Sequence, residues 1–434
     1  MKVHFLGIAG SGASAAAALA QAQGFEISGC DLEPNNEFTT VFSKDQLLKG
    51  HDPKHLSEVD ILAITPAINS LDPNNPELME AKKLGIPVIT WQQFVGEYLT
   101  KDKFVIAICG THGKTTTTAM IAQVLENANL DPTVLLGAIH PKWKTNYRIG
   151  GSKYFVVEAD EFNDNFLHFK PDITVVTNIE MDHPEYFKDI NAYLDSYEAF
   201  LLQTKQTIVA NLLDKNVAEI VKDVMKASRV SAIDFNKIEV NFDLKIPGEY
   251  NISNAKAAFQ VGLLLGLDPQ IIKQSLENYS GVGRRFEYLG EFNGAKVYSD
   301  FGHHPTEIKK TIEAAREKFP KEKIYLFYQP HMFSRTKALF DDFVKVFREL
   351  PVDGCVTLDI YPSREIDTGI VSSEELVKAI KRKNVYYAKE LKREEFEQYA
   401  KPNDILPFAD GKRQVIFFFM GAGDIDQLAR ELVK

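Results

Sequence analysis

At 434 residues, with 44% hydrophobic and 25% charged side chains, the chain has the composition of an ordinary globular protein and the length of two to four domains, each able to bury its own core. A formal net charge of −10 argues against a broad basic footprint for nucleic acid and leaves room for a local basic cleft that holds an anion. No stretch is apolar across a bilayer's width and the opening MKVHFLGIAG lacks the regions of a secretory signal, so a soluble, cytoplasmic protein with neither nucleic acid nor membrane as partner is expected.

The first hundred residues read as a strand at 3–6, a glycine turn, an alanine-rich helix at 14–23 and a strand from 26 that runs out at Asp31, together a βαβ unit. Strand and helix signals recur at 60–65, 75–84 and 87–90, and the polar stretch 100–103 reads as a linker. A second α/β unit opens with the apolar strand 104–109, passes a glycine loop into a helix at 115–127, and adds strands at 154–158, 173–178 and 207–211. A third begins near Gly283, with strands at 296–299, 324–328, 354–358, 385–387 and 414–420 and helices at 306–318 and 336–350. This alternation implies an α/β fold of mostly parallel, helix-covered sheets, divided into domains at 1–100, 101–282 and 283–434. Cys30, Cys109 and Cys355 are far apart and make no CxxC pair, so neither a disulfide framework nor a zinc site is suggested, and each is expected to be a small buried hydrophobe.

The strongest motif is GTHGKTTT at 110–117, set between an apolar strand and a helix as a nucleotide loop requires. Gly110 and Gly113 let backbone N–H groups approach phosphate, and the helix N-terminus adds its positive dipole. Lys114 bridges the outer phosphates and Thr115 offers a hydroxyl to Mg²⁺. The loop departs from the full Walker pattern, because Ile108 stands where that pattern has its first glycine. The N-terminal turn is more ambiguous. Gly10, Gly12 and Ala15 with Asp31 fit a dinucleotide fingerprint, which alone suggests a nicotinamide-dependent dehydrogenase, and the same turn suits the pyrophosphate of a UDP-sugar.

Downstream, the strand ending in VVEADE and the next one leading to NIEMDHPEYF bring carboxylates and an imidazole to neighbouring strand ends, where parallel sheets bind ligands. Glu158 and His183 are candidates to complete a Mg²⁺ shell. Three Arg/His clusters follow, GVGRRFE, SDFGHHPTE and QPHMFSRT, with cationic forks suited to neutralising phosphate oxygens during transfer.

Taken in order, GIAGSGAS, TPAI with NPEL, GTHGKTTT, TNYRIGG, VEADEFNDNFLHFKPD, TNIEMDH, NISNAKAA, GVGRRFE, SDFGHHPTE, QPHMFSRT, DIYPSRE and FMGAGDI resemble the motifs of the Mur ligase family over nearly the whole chain. They look most like the branch that joins L-alanine to UDP-N-acetylmuramate. The resemblance implies a Rossmann-like UDP-binding first domain, a central P-loop-type ATPase domain and a Rossmann-like third domain. Gly10, Ser11, Gly12, Ser14 and Asp31 would serve the UDP part, with Thr65, Pro66, Ala67 and Ile68 near the nucleoside. ATP would lie on Gly110, Thr111, His112, Gly113, Lys114, Thr115 and Thr116, with Asn251 and Asn254 near adenine and Arg285 and Asp300 near γ-phosphate and ribose. Mg²⁺ would sit at Thr115, Glu158 and His183. His303, His304, His331 and Arg335 would face the amino acid and the reacting carboxylate, and Lys114, Arg285, His303 and Arg335 would be catalytic. The implied reaction passes through an acyl phosphate that the third domain shields from water, in a monomer or homodimer. Tyr250 and Trp91 depart from the residues often found at their positions. The rivals are the recycling ligase of the same family, which attaches a tripeptide, and the dehydrogenase suggested by the first turn.

Overall fold

The computed structural model describes residues 1–400 and 415–434. The chain divides into two compact units, the first made of Met1–Glu180, Asp189–Asp243 and Asn254–Tyr279, the second of Met181–Lys188, Leu244–Ser253 and Ser280–Lys434. Among the described residues no helix is long and apolar enough to cross a membrane.

The first unit holds two sheets. One is built from β1 (Lys2–Leu6), β2 (Glu26–Asp31), β3 (Leu47–Lys49), β4 (Ile61–Ile64) and β5 (Val88–Thr90), in the order β3-β2-β1-β4-β5 and wholly parallel. The order reverses between β1 and β4, so the ends of those two strands flank the crevice in which such sheets take ligands. The other sheet contains β6 (Phe104–Cys109), β7 (Thr133–Leu135), β8 (Tyr147–Arg148), β9 (Tyr154–Glu158), β10 (Ile173–Val176), β11 (Thr207–Ala210) and β12 (Ser231–Asp234), in the order β12-β11-β10-β6-β9-β7-β8. Only the edge strand β8 runs antiparallel. β6 and β10 are apolar almost throughout because both faces of the sheet are covered.

The second unit carries β13 (Glu287–Phe292), β14 (Ala295–Asp300), β15 (Lys323–Tyr328), β16 (Gly354–Thr357), β17 (Val385–Tyr387) and β18 (Val415–Met420), ordered β13-β14-β18-β15-β16-β17. β14 to β18 are parallel, and β13 is an antiparallel edge. The α/β class, the three sheets and their mostly parallel sense match the sequence reading. The strand read at 414–420 begins at Val415, and Gln414 lies outside the described residues. The helix read as continuous from 336 to 350 is two, Phe333–Ala338 and Phe340–Glu349, because Leu339 between them leaves helical geometry at φ −102°, ψ 20°.

Helix starts divide into two kinds. Those at Ile190, Lys215 and Pro269 have their first N–H groups occupied by the carboxylates of Asp189, Asp214 and Asp268. The helices Ser11–Ala22 and Lys114–Asn127 follow glycine turns, and no side chain caps Gly10 or Gly113. Their N-termini keep donors and dipole directed at the turn, as anion binding needs.

The core of the third sheet is aromatic. Phe418 stacks on Tyr298 at 5.2 Å and meets Phe286 edge-on at 4.9 Å, all buried. Phe418→Ala is expected to cost about 3–5 kcal/mol, read from the denaturant midpoint of unfolding.

Candidate active site

The N-terminal turn sits at the end of β1. Gly12 is needed because the Trp91 ring closes on it: a Cβ there would stand 2.3 Å from Trp91 Cζ2. Ser14 is buried and donates to the carbonyls of Gly10 and Ser11 at 2.9 and 3.0 Å, so it shapes the turn from within, whereas Ser11 is exposed. Asp31 accepts from the Ala9 N–H at 3.2 Å, bracing the turn from β2. Thr65, Pro66, Ala67 and Ile68 leave the end of the adjacent β4, and the Thr65 N–H donates to the Leu6 carbonyl at 3.0 Å. Both candidate UDP segments therefore border one crevice.

The phosphate loop leaves β6 between β9 and β10. The Lys114 ammonium donates to the loop carbonyls of Gly110 at 2.6 Å and Thr111 at 3.2 Å, and to both carboxylate oxygens of Glu161 at 3.0 and 2.8 Å. Burial opposes its charge, yet Glu161, with Asp160 and Glu158 behind it, raises the lysine above its ordinary value, so it is cationic at all working pH. Glu161 is itself buried and held by the Tyr193 hydroxyl at 3.1 Å. It belongs to the VEADE run but does not stand out in the sequence as Glu158 does; its position beyond the end of the strand signal hides it.

The other loop residues are fixed by the exit of β10. The Thr111 N–H and His112 N–H donate to the Asn178 carbonyl and side-chain oxygen at 3.0 and 2.9 Å, and the His112 ring meets Glu180 at 3.0 Å. Asn254 stands so close that a Cβ on Gly113 would lie 2.6 Å from its Oδ1, and Gly113 also has φ +83°. Thr116 is buried in the first helical turn. The Thr115 hydroxyl donates to Glu158 at 2.9 Å, and the second Glu158 oxygen accepts from the Gly137 N–H at 2.7 Å. A hydroxyl and a carboxylate converging in this way form an oxygen donor pair that fits a hard divalent ion such as Mg²⁺.

The second unit gathers its own cluster. Asp182 is buried, and Arg335 donates to it from Nε at 2.9 Å. Burial would raise this carboxylate, but His183 and Arg335 hold it well below the usual range. His183 pairs with Glu185 at 3.2 Å. Arg335 also reaches His331 at 3.1 Å, and His331 stacks on Tyr361 at 5.8 Å. His303 lies 5.8 Å from His331, ring to ring, with its Nδ1 3.2 Å from the Phe301 carbonyl. Burial and then Arg335 lower His303 to about 4. Burial and then His303 lower His331 to about 2. Neither Asp182 nor Glu185 stands out in the sequence, since Arg335 and Arg364, which donate to them, lie on distant segments.

Two expected ligand residues have evident structural work. His304 is the N-cap of the helix Pro305–Lys318, accepting from the Thr306 N–H at 3.3 Å. Asp300 is buried and accepts from the N–H groups of Phe286 and Gly302, both at 2.8 Å. Arg285 lies over the Phe301 ring at 4.9 Å. Asn251, in the second unit, donates to the Pro247 carbonyl at 2.7 Å, and the preceding Tyr250 packs against the aromatic core.

A phosphate loop with an embedded lysine, a hydroxyl–carboxylate pair beside it and a buried Arg/His cluster in a further α/β unit define an enzyme that uses a nucleoside triphosphate. Three family descriptions match in succession: "Mur ligase family, catalytic domain" over residues 2–103, "Mur ligase middle domain" over 108–262 and "Mur ligase, glutamate ligase domain" over 284–409. The UDP-N-acetylmuramate–L-alanine ligase of Acetivibrio thermocellus is 36% identical, covering 100% of this chain and 95% of its own. That of Caldicellulosiruptor saccharolyticus is 37% identical over 98% of this chain and 97% of its own. The crystal structure of the Thermotoga maritima UDP-N-acetylmuramate-alanine ligase superposes with a TM-score of 0.76 at 27% identity, covering 100% of this chain and 98% of that one. The chain belongs to the Mur ligase family.

The cluster around Asp182 sets an acid response. Unfolded histidines take protons near pH ~6.5, whereas folded His303 and His331 resist to about 4 and about 2. The unfolded chain therefore binds more protons below ~6.5, and stability falls as pH drops through that window. Asp182, depressed when folded, contributes stability above its unfolded value that is lost only at still lower pH. His331→Gln is expected to flatten the loss between pH ~6.5 and ~4 in denaturant titrations. Asp182→Asn leaves the Arg335 charge buried without its carboxylate and is expected to cost about 3–5 kcal/mol.

Proposed function

We propose that this chain joins the amine of L-alanine to the lactyl carboxylate of UDP-N-acetylmuramate, with ATP converted to ADP and phosphate, a step in building peptidoglycan precursors. What carries the reading is the end-to-end match to relatives named for that activity. The phosphate loop supplies the chemistry such a ligase needs.

A carboxylate is inert to amines because its oxygen is a poor leaving group. Transfer of the γ-phosphoryl group to it gives an acyl phosphate, which the uncharged amine attacks at the carbonyl carbon, and phosphate departs. Phosphoryl transfer needs little covalent help from protein, and most of the catalysis lies in positioning and charge neutralisation. Lys114 is our candidate for that neutralisation, since its ammonium is permanent and fixed by three acceptors at the base of the loop. The uncapped start of the helix Lys114–Asn127 offers N–H groups to the phosphates. Thr115 and Glu158 would hold Mg²⁺, which would supply neutralisation of the charge that develops during transfer. We assign His183 as a further ligand from the second unit, Arg285 to the γ-phosphate and Asn251 and Asn254 to the adenine side.

The UDP portion is assigned to the crevice between β1 and β4, with Gly10, Ser11 and Gly12 at the pyrophosphate and Thr65 to Ile68 at the nucleoside. Ser14 and Asp31 hold that turn in shape. Arg335 is our candidate for a carboxylate contact, with Asp182 orienting it. His331 lies against Arg335 and His303 against His331, and we assign both to the amino-acid side of the site. Both nucleotides are cytoplasmic metabolites, and we place the reaction there.

The test is phosphate release with UDP-N-acetylmuramate, ATP and Mg²⁺, with each amine in turn. L-alanine is expected to support turnover and a tripeptide is not; tripeptide-only turnover would overturn the reading in favour of the recycling ligase. Lys114→Ala is expected to lower kcat by at least about 10²–10³-fold, and unchanged turnover would remove Lys114 from its role.

A further inference from the structure

Among the described residues, a compact set of metal-ligating side chains outside the nucleotide site lies inside the first sheet's domain. His4 comes from β1, Cys30 from β2, His55 from the short 3₁₀ turn Pro53–Leu56 and Glu77 from the first turn of the helix Pro76–Leu84. One donor atom from each lies within 4.8 Å of all the others. His4, Cys30 and Glu77 are fully buried, with 0% exposure.

The separations are short contacts, at or just below those of a filled coordination shell. Cys30 Sγ stands 3.1 and 3.3 Å from the two Glu77 oxygens, His55 Nδ1 2.9 Å from one and His4 Nε2 3.2 Å from the other. In a tetrahedral zinc site, with bonds of about 2.0–2.3 Å, donors lie about 3.3–3.8 Å apart. His51 Nδ1 flanks the sulfur at 3.4 Å.

A second observation separates this cluster from an ordinary polar network. His4 Nε2 is buried and stands 3.2 Å from the Glu77 carboxylate without the alignment of a hydrogen bond. Its other nitrogen is fixed by the Ser28 hydroxyl at 2.8 Å, the outer contact by which metal-binding imidazoles are commonly aimed. Glu77 is oriented likewise by the Asp52 N–H at 3.1 Å. The surroundings are apolar, with Leu6, Leu56 and Leu62 in the same cluster as Cys30.

We propose that His4, Cys30, His55 and Glu77 bind one divalent transition-metal ion of the zinc class as a closed structural site. Two imidazoles, a thiolate and a carboxylate suit Zn²⁺ and are poor ligands for Mg²⁺, so this site is distinct in chemistry from the Thr115–Glu158 pair. On binding, a metal–sulfur bond forms and the Cys30 thiol proton leaves to solvent. The thiolate and the Glu77 carboxylate then balance the dication, so the filled site is neutral. Without metal, burial and the nearby Glu77 keep the thiol protonated.

The ion would join four elements of the domain. It would also fix the residue whose carbonyl accepts the Gly7 and Ile8 N–H groups at 2.9 and 3.1 Å, the base of the glycine turn. The assignment stands independently of the reaction proposed above.

The full-length protein, stripped with chelator and titrated with Co²⁺ alone, tests it. We expect one Co²⁺ per chain with a thiolate-to-cobalt charge-transfer band and tetrahedral d–d bands, displaced by one equivalent of Zn²⁺. Cys30→Ser is expected to lose the charge-transfer band and weaken binding by at least about 100-fold, while Cys109→Ser keeps it. Absence of that band in the wild-type protein, or its survival in Cys30→Ser, would overturn the proposal. Should Cys30→Ser fail to fold, zinc X-ray absorption of the wild-type protein decides: one sulfur with three nitrogen or oxygen neighbours supports the site, and a shell without sulfur refutes it.

Discussion

The ammonium of Lys114 is largely withdrawn from solvent, with its side chain 13% exposed, and a charge so placed without a partner is among the costliest features a protein can carry. Here the cost is offset locally by two loop carbonyls and by Glu161, which the Tyr193 hydroxyl holds in place. The compensation dictates much of the central sheet. Glu161 must follow a strand that ends beside the loop, and Tyr193 must come from a helix packed over it. Parallel strands meet that demand because they send successive chain ends to one edge of the sheet, so β6, β9 and β10 deliver loop, acid and asparagine to the same place.

The same constraint governs the other buried charges. Asp182 and Arg335 neutralise each other in the second unit, while burial first and the Arg335 charge after it lower His303. In the first domain the Glu77 carboxylate is surrounded by two histidines and a thiol instead of by a lysine or arginine. That difference is chemically telling. An arginine would close the matter with a permanent charge, whereas imidazoles and a thiol are neutral ligands or weak donors that leave room for a cation among them.

What was legible in the sequence was local. The strand Phe104–Cys109 and the loop after it were readable because an apolar run, two glycines and a Lys-Thr pair are contiguous. Boundaries that depend on packing were not. The pattern from 336 to 350 is periodic throughout, and nothing in it announces the break at Leu339. β12 and β13 were missed because they are edge strands whose partly exposed residues lack a clean alternation. Asp182 and Arg335 are 153 residues apart, so their bond was invisible to any motif. The reading of Cys30 as a simple buried hydrophobe placed it correctly inside but missed its company, since the ligands His4, His55 and Glu77 come from separate elements and only topology assembles them. Asp300 shows the converse: its motif stood out, yet both oxygens are occupied by backbone N–H groups, so its prominence owes at least as much to holding the chain as to any ligand.

The missing first glycine of the phosphate loop has a structural reason as well. Ile108 remains inside β6, paired with Val175 on one side and Glu158 on the other, so the strand runs further before the turn and the loop that follows is short. A short loop has fewer of its own N–H and carbonyl groups with which to hold its shape. The support comes from β10 instead: the His112 carbonyl accepts from Thr177 at 2.6 Å and Asn178 at 2.9 Å, and the His112 N–H returns a bond to Asn178 at 2.9 Å. The Asn178 side chain thus clamps His112 on both its backbone polar groups. Rigidity that a longer loop builds from its own backbone is here supplied by the neighbouring strand, which ties the geometry of phosphate binding to the register of the sheet.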